Sequence, residues 1–174
     1  SLVCDELDID VWELIRLANR HPRVNILQPG PGVGGHCIAV DPWFIVYSAP
    51  EQARLVRIAR EVNDSKPEWV LDKVRSAIGA YLMENPGKTA ADVTVTIYGL
   101  AFKPDIDDLR ESPALEIAKA LAREHQGPLK IVEPNVTTLP EGLGAASHFP
   151  VDEANAEVHV MLVDHKVFKE AQPP

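Results

Sequence analysis

Val93-Thr94-Val95-Thr96-Ile97-Tyr98-Gly99, followed a short way on by Ser112-Pro113-Ala114-Leu115, is the stretch where the periodicity of this chain changes. Val93 to Tyr98 is β-branched or aromatic throughout, which suits a pleated, buried strand. Ser112 then offers an N-cap hydroxyl, and Pro113 a residue whose φ is preset for a first helical turn. Leu115, Ala118 and Leu121 recur at helical spacing behind it. Leu129 to Val132 reads as a second strand and Val158 to Val163 as a third. Strand, helix, strand and a later strand predict the α/β class, with a Rossmann-like parallel sheet over residues 86–174.

Upstream of Asn85-Pro86-Gly87 the pattern is helical, with one Gly/Pro-rich interruption, so residues 1–85 read as a helical segment. Asp10 with Glu13 forms a capping-box pair, and Val11, Leu14, Ile15 and Ala18 share one face of the helix that follows. That helix should end near His21-Pro22, because a residue before proline disfavours the α region. A second helical stretch runs from about Glu51 to Met83, with Leu55, Ile58, Ala59 and Val62 as its first apolar stripe. Pro67 interrupts it, and Ser65 with Glu68 could cap a new helix there; one kinked helix and two abutting ones both fit. A helix of such length in a small domain suggests packing against a second subunit.

The bulk composition narrows the function classes. The chain has 174 residues, 45% apolar, with a mean hydropathy of -0.09. A net charge of -9 argues against a nucleic-acid surface, which needs clustered Lys and Arg. No apolar run approaches the roughly 20 residues of a membrane span. Ser1 to Glu6 lacks the basic start of a secretion signal. Cys4 and Cys37 form neither a disulfide framework nor a zinc-ligand spacing, so no metal is expected and a reducing cytoplasm fits. The helical opening at Ser1 and the end at Pro173-Pro174 read as cuts in a longer polypeptide.

Working outward again, the interruption is Gln28-Pro29-Gly30-Pro31-Gly32-Val33-Gly34-Gly35-His36-Cys37-Ile38-Ala39-Val40-Asp41-Pro42. Gly30, Gly32 and Gly35 formally satisfy the dinucleotide fingerprint GxGxxG. That fingerprint must follow a strand and open a helix, whereas here a cysteine and Asp41-Pro42 come at once. A glycine-rich turn instead lets backbone approach a ligand closely. A cysteine placed just after it can attack a carbonyl if its thiolate is favoured or a base lies near. His36 and Asp41 are the candidates for that help. Bland readings compete at each position: a small buried apolar residue for Cys37, a packing residue for His36, a helix N-cap for Asp41.

The segment resembles the active-site loop of the UDP-glucose/GDP-mannose dehydrogenase family, Gly-x-Gly-Gly-x-Cys-x-x-x-Asp, matched by Gly32, Gly34, Gly35, Cys37 and Asp41. Gly99-Leu100-Ala101-Phe102-Lys103-Pro104 with Asp107-Asp108-Leu109-Arg110-Glu111-Ser112-Pro113 resembles the UDP-binding signature of the same family. The resemblance implies a double oxidation of a sugar C6 alcohol to the carboxylate with NAD. Cys37 would carry a thiohemiacetal and then a thioester, and Asp41 would orient water. It also implies substrate contacts from Arg23, Gln28, Gly34, Phe102 and Lys103, and a cofactor contact from Arg110. The Lys that UDP-glucose enzymes carry before the aspartate is Val40 here. Ala39-Val40-Asp41-Pro42 is similar to the UDP-N-acetylhexosamine branch, with N-acetylmannosamine favoured over N-acetylglucosamine. A homodimer through the long central helix is implied as well. The family's NAD-binding domain, and a lysine and an asparagine before Ser1, are missing, so the chain alone is expected to be inactive. A non-catalytic UDP-sugar-binding or dimerisation module is the rival reading, and a Cys-dependent hydrolase would leave the Phe102-Lys103-Pro104 motif unexplained.

Overall fold

A computed structural model of the chain describes residues 1–171, so the end at Pro173-Pro174 lies outside the described residues. The chain divides into two compact units, Ser1–Gly30 and the remainder from Pro31. In the first, α1 (Leu2–Glu6) and α2 (Val11–Ala18) precede an irregular return. Asp10 caps α2 by accepting from the Trp12 and Glu13 amides at 2.8 and 3.3 Å. The reciprocal half of the capping box is not formed: Glu13 pairs with Arg16 instead. The helix also stops short of His21-Pro22. Its C-cap residue, Asn19, turns its side-chain amide to the backbone N–H and C=O of Ile26, at 2.7 and 2.9 Å, which fixes the return loop in place of another helical turn. Of the expected apolar face Ile15 is buried, Val11 and Ala18 are half-buried and Leu14 is exposed, as are Trp12 and Leu17 outside it.

The second unit opens with the Gly-rich loop and α3 (Asp41–Ser48), which packs on α4 (Arg54–Asp64). The long helical stretch resolves into two helices, α4 and α5 (Lys66–Glu84), with Pro67 in the first turn of α5. Ser65 does not cap α5; its hydroxyl donates to the Val62 carbonyl, and Glu68 accepts from Arg75. The stripe Leu55, Ile58 and Val62 faces outward, and α4 instead buries Arg60. Periodicity marked an amphipathic helix correctly but could not say which face its own chain covers.

Four parallel strands follow in the order β3-β2-β1-β4: β1 (Val95–Tyr98), β2 (Leu129–Val132), β3 (Ser147–His148) and β4 (Val158–Met161). Val95 aligns with both Leu129 and Val158, so β1 is central. Every residue of β1 is buried, as expected for a parallel strand covered on both faces. Val95 and Ile97 join α5 through Leu71 and Val74, and α6 (Pro113–Glu124) through Ile117, Ala118 and Leu121. Burial of each such aliphatic side chain stabilises by roughly 1.5–3 kcal/mol. Tyr98 meets Val132, Ala154 and Phe168 on the other side; Phe168 belongs to α7 (Lys166–Ala171). The expected α/β class with a parallel Rossmann-like sheet is what the chain adopts. The helix α5, read with the helical segment, shares the core of that sheet.

Candidate active site

The chain between β1 and α6 carries the second motif, with Phe102, Lys103 and Arg110. Three devices hold it. Glu133, at the end of β2 and fully buried, accepts from the amides of Leu100 and Ala101 at 2.7 and 3.3 Å. Ser112 caps α6 and donates from its hydroxyl to the Leu100 carbonyl at 2.6 Å. Asp105 stands at φ 61 and donates its N–H to His165 Nδ1 at 2.9 Å, while its carboxylate accepts from the Lys166 amide. Since Nδ1 accepts, His165 carries its hydrogen on Nε2 and gives it to Glu133 at 3.2 Å. Burial works to raise the Glu133 pKa, but His165 and the amides of Leu100 and Asn135 outweigh it and hold the carboxyl below its ordinary range.

The Gly-rich loop seats on this segment. The Gly35 amide donates to the Arg110 carbonyl at 3.2 Å. A Cβ at Gly34 would stand 2.2 Å from the Glu111 carbonyl oxygen and 3.0 Å from Phe102 Cβ, so only glycine permits the approach. Gly35, at φ +88, lies against the Phe102 ring. Asn63 of α4 holds the loop from the other side, accepting from the Val33 amide at 2.7 Å and donating to its carbonyl at 3.2 Å.

Cys37 follows in a turn that ends in α3, and its carbonyl accepts from the amides of Val40 and Asp41 at 3.1 and 2.8 Å. The thiol is exposed, whereas Cys4 is buried. Asp41 is the first residue of α3, not its N-cap, and its exposed side chain makes no capping bond. The bland readings of Cys37 and Asp41 therefore lose ground. Arg110 grips Asp108, with Nε 2.9 Å from Oδ1 and Nη2 2.5 Å from Oδ2. This contact holds the Asp108 carboxyl down at about 2 and raises the Arg110 guanidinium above its ordinary range, with a smaller electrostatic contribution from Cys37. Lys103 is exposed, with Nζ 5.6 Å from the centre of the Phe102 ring.

Of the residues singled out in the sequence, Gly34, Cys37, Asp41, Phe102, Lys103 and Arg110 thus lie in the second unit, and the Gly-rich loop joins the Phe102–Arg110 segment directly. Arg23 and Gln28 belong to the first unit, both exposed; the Arg23 amide donates to His21 Nδ1. Arg60, Asn63, Glu133 and His165 were missed. Glu133 carried a usable signal, an acid directly after a predicted strand in a βαβ unit. Arg60 and Asn63 carried none, being ordinary polar positions of a helix.

Residues 1–65 match the central domain, and residues 96–174 the UDP binding domain, of the UDP-glucose/GDP-mannose dehydrogenase family. The chain is 60% identical over 172 residues to UDP-N-acetyl-D-mannosamine dehydrogenase of Escherichia coli (strain K12), a match covering 97% of this chain and 41% of that protein. It is 52% identical to NDP-N-acetyl-D-galactosaminuronic acid dehydrogenase of Ralstonia solanacearum, over 97% of this chain and 38% of the other. Its fold is similar to that of the UDP-N-acetyl-mannosamine dehydrogenase from S. aureus, with a TM-score of 0.75 and 41% identity over 96% of this chain and 37% of that one. The chain belongs to the UDP-glucose/GDP-mannose dehydrogenase family. It spans about two fifths of the length of these relatives, 41% in the E. coli protein.

Proposed function

We propose that this chain is the cysteine-bearing part of an NAD-dependent UDP-N-acetyl-D-mannosamine 6-dehydrogenase, with residues 1–85 as its central segment and 86–174 as its UDP-sugar-binding domain. The observation that carries the reading is the exposed Cys37 thiol on a loop pinned to the Phe102–Arg110 segment through the Gly35 amide. Bound NAD would supply the hydride acceptor for both oxidations. This chain offers it little: no glycine-rich turn among the described residues links a strand to a helix as a dinucleotide cradle requires, and Arg110 is the one contact assigned to it.

The chain's own residues do the rest. The Cys37 sulfur adds to the C6 aldehyde carbon, and the carbonyl oxygen takes up a proton to give the thiohemiacetal. Oxidation of that adduct leaves a thioester. Asp41, uncommitted to its helix, orients a water whose oxygen displaces the sulfur, so the thiol re-forms as the carboxylate leaves. Overall the primary alcohol and one water become a carboxylate, two hydrides and three protons. In the second unit Lys103, Gly34 and Phe102 are the proposed UDP-sugar contacts; in the first, Gln28 is another substrate contact and Arg23 reaches towards the sugar site of a neighbouring subunit.

A hybrid tests this: the chain in place of the matching 172 residues of the E. coli relative, assayed for NADH at 340 nm with UDP-N-acetylmannosamine, UDP-N-acetylglucosamine and UDP-glucose. Turnover of the mannosamine sugar, lost at least about 1,000-fold in Cys37→Ala, is the expected result, since covalent capture is central to the second oxidation. A folded hybrid that turns over none of them, or a fully active Cys37→Ala, would refute the reading. Preference for glucosamine would refute only the sugar assignment.

The apolar residues Phe44, Ile45 and Tyr47 on α3 and Leu55, Ile58 and Val62 on α4 are exposed, Tyr47 at 89% and Leu55 at 81%. These side chains stand on two helices that pack on each other, and large exposed apolar side chains suit an interface with another protein surface. A second copy of the chain covers this face in the proposed homodimer. Sedimentation equilibrium should return a dimer, and a monomer at micromolar concentration would remove the dimer from the proposal.

A further inference from the structure

Arg60 of α4 is 8% exposed. Its Nη2 donates to Asp64 Oδ1 at 2.6 Å and its Nη1 to the Ile38 carbonyl at 3.3 Å, while Nε is buried with no partner among the described atoms. A buried cation with an unspent donor is an expensive way to fill space, and an apolar residue of similar volume would generally serve stability as well or better. The retained guanidinium therefore calls for another role, and its acceptor names one. Ile38 is the residue after Cys37, in the turn closed by the Val40 and Asp41 amides on the Cys37 carbonyl. One turn along α4, Asn63 clasps both backbone groups of Val33 and also donates to Asp64 at 3.2 Å. The two contacts bracket Gly34 to Cys37, so one helix face holds the loop on both sides of the thiol. Asn63 sets where the loop enters, and Arg60, itself oriented by Asp64, sets where it leaves.

We infer that Arg60 is a positioning residue for Cys37, fixing through the Ile38 carbonyl the turn that presents the sulfur. The inference rests on Cys37 being the nucleophile. A nucleophile must stay aligned through addition, oxidation and release, and a displacement of about 1 Å can cost about 100-fold in rate. Of the assigned substrate contacts, Phe102 and Lys103 lie on another segment, and Gly34 is seated against Glu111 and Phe102 rather than by Arg60, so binding should be largely spared while turnover falls.

The hybrid enzyme carrying Arg60→Met, Arg60→Ala or Asp64→Asn tests this, with Cys37→Ala alongside. Arg60→Met should lower kcat about 30- to 100-fold with KM for the UDP-sugar within about threefold. Asp64→Asn, which loosens the guanidinium without removing it, should give a smaller loss in kcat alone. Guanidinium ion at tens of millimolar should restore part of the turnover of Arg60→Ala. The inference is overturned by kcat of Arg60→Met within twofold of the parent. It is equally overturned by losses that merely follow the folded fraction seen by circular dichroism, with Asp64→Asn unaffected and no rescue. If Cys37→Ala stays active, the nucleophile assignment fails instead, whatever Arg60 does.

Discussion

Alanine at Gly34 should cut turnover of the hybrid enzyme at least about 100-fold, while alanine at Gly30 should leave it unchanged. The contrast isolates close approach from general loop flexibility. A Cβ at Gly34 would meet the Glu111 carbonyl at 2.2 Å and Pro113 Cδ at 2.8 Å, and nothing lies within 4 Å of one at Gly30. Glu111 is a poor candidate to yield. It stands at φ 48, followed directly by Ser112, whose hydroxyl caps α6 and binds the Leu100 carbonyl. The loop must then lift from the Phe102 side, breaking the Gly35–Arg110 bond and shifting Cys37 with it. Because the sheet and α6 are untouched, the melting temperature should fall far less than the activity. A Gly34→Ala hybrid within twofold of the parent would mean that seating of the loop on the Phe102–Arg110 segment is irrelevant to catalysis.

The sequence carried three of the four strands and both motifs because each depends on local residue chemistry; β3, two exposed residues paired with β2, has no strand pattern of its own. Val95 to Tyr98 is strand-forming on its own terms, and Ser112-Pro113 writes a helix start without outside help. The Gly-rich turn predicts a close backbone approach to a ligand, whereas what lies against Gly34 and Gly35 is the chain's own Glu111 and Phe102. The errors fall where one particular hydrogen-bond partner decides. Asn19 ended α2 early because Ile26, seven residues on, took its amide. Ser65 gave its hydroxyl backward to Val62, so the predicted cap of α5 never formed. On α4, the apolar stripe pointed out and Arg60 pointed in, because what the helix must hold is the backbone of another segment. No single-sequence pattern encodes a carbonyl as a partner, which is why Arg60 and Asn63 stayed invisible.

Glu133, whose place directly after a strand does leave a mark in the sequence, permits a test by stability. Replacing it with leucine should lower the melting temperature by about 10 °C near neutral pH. Each buried donor left without its acceptor costs about 1–3 kcal/mol, and each kcal/mol shifts a domain of this size by roughly 2–4 °C. Leucine would strand the Leu100, Ala101 and Asn135 amides and the Nε2 hydrogen of His165 together. Glutamine should fall between, since one carbonyl oxygen can serve only one side. With that oxygen on Leu100 and His165, the amide NH2 faces the Asn135 N–H. The acid limb of stability supplies the sign. Glu133 has a folded pKa below its ordinary value of 4.5. Its contribution is therefore complete above 4.5 and fades as pH falls through the lower folded value, where the buried carboxylate takes its proton. The gap in melting temperature between parent and Glu133→Leu should accordingly narrow in acid, with the parent losing stability more steeply than the variant. A gap that is small at neutral pH, or constant down through the carboxylate range, would mean that the anchored β1–α6 segment does not depend on this charge. The Phe102 and Lys103 loop would then need a different support.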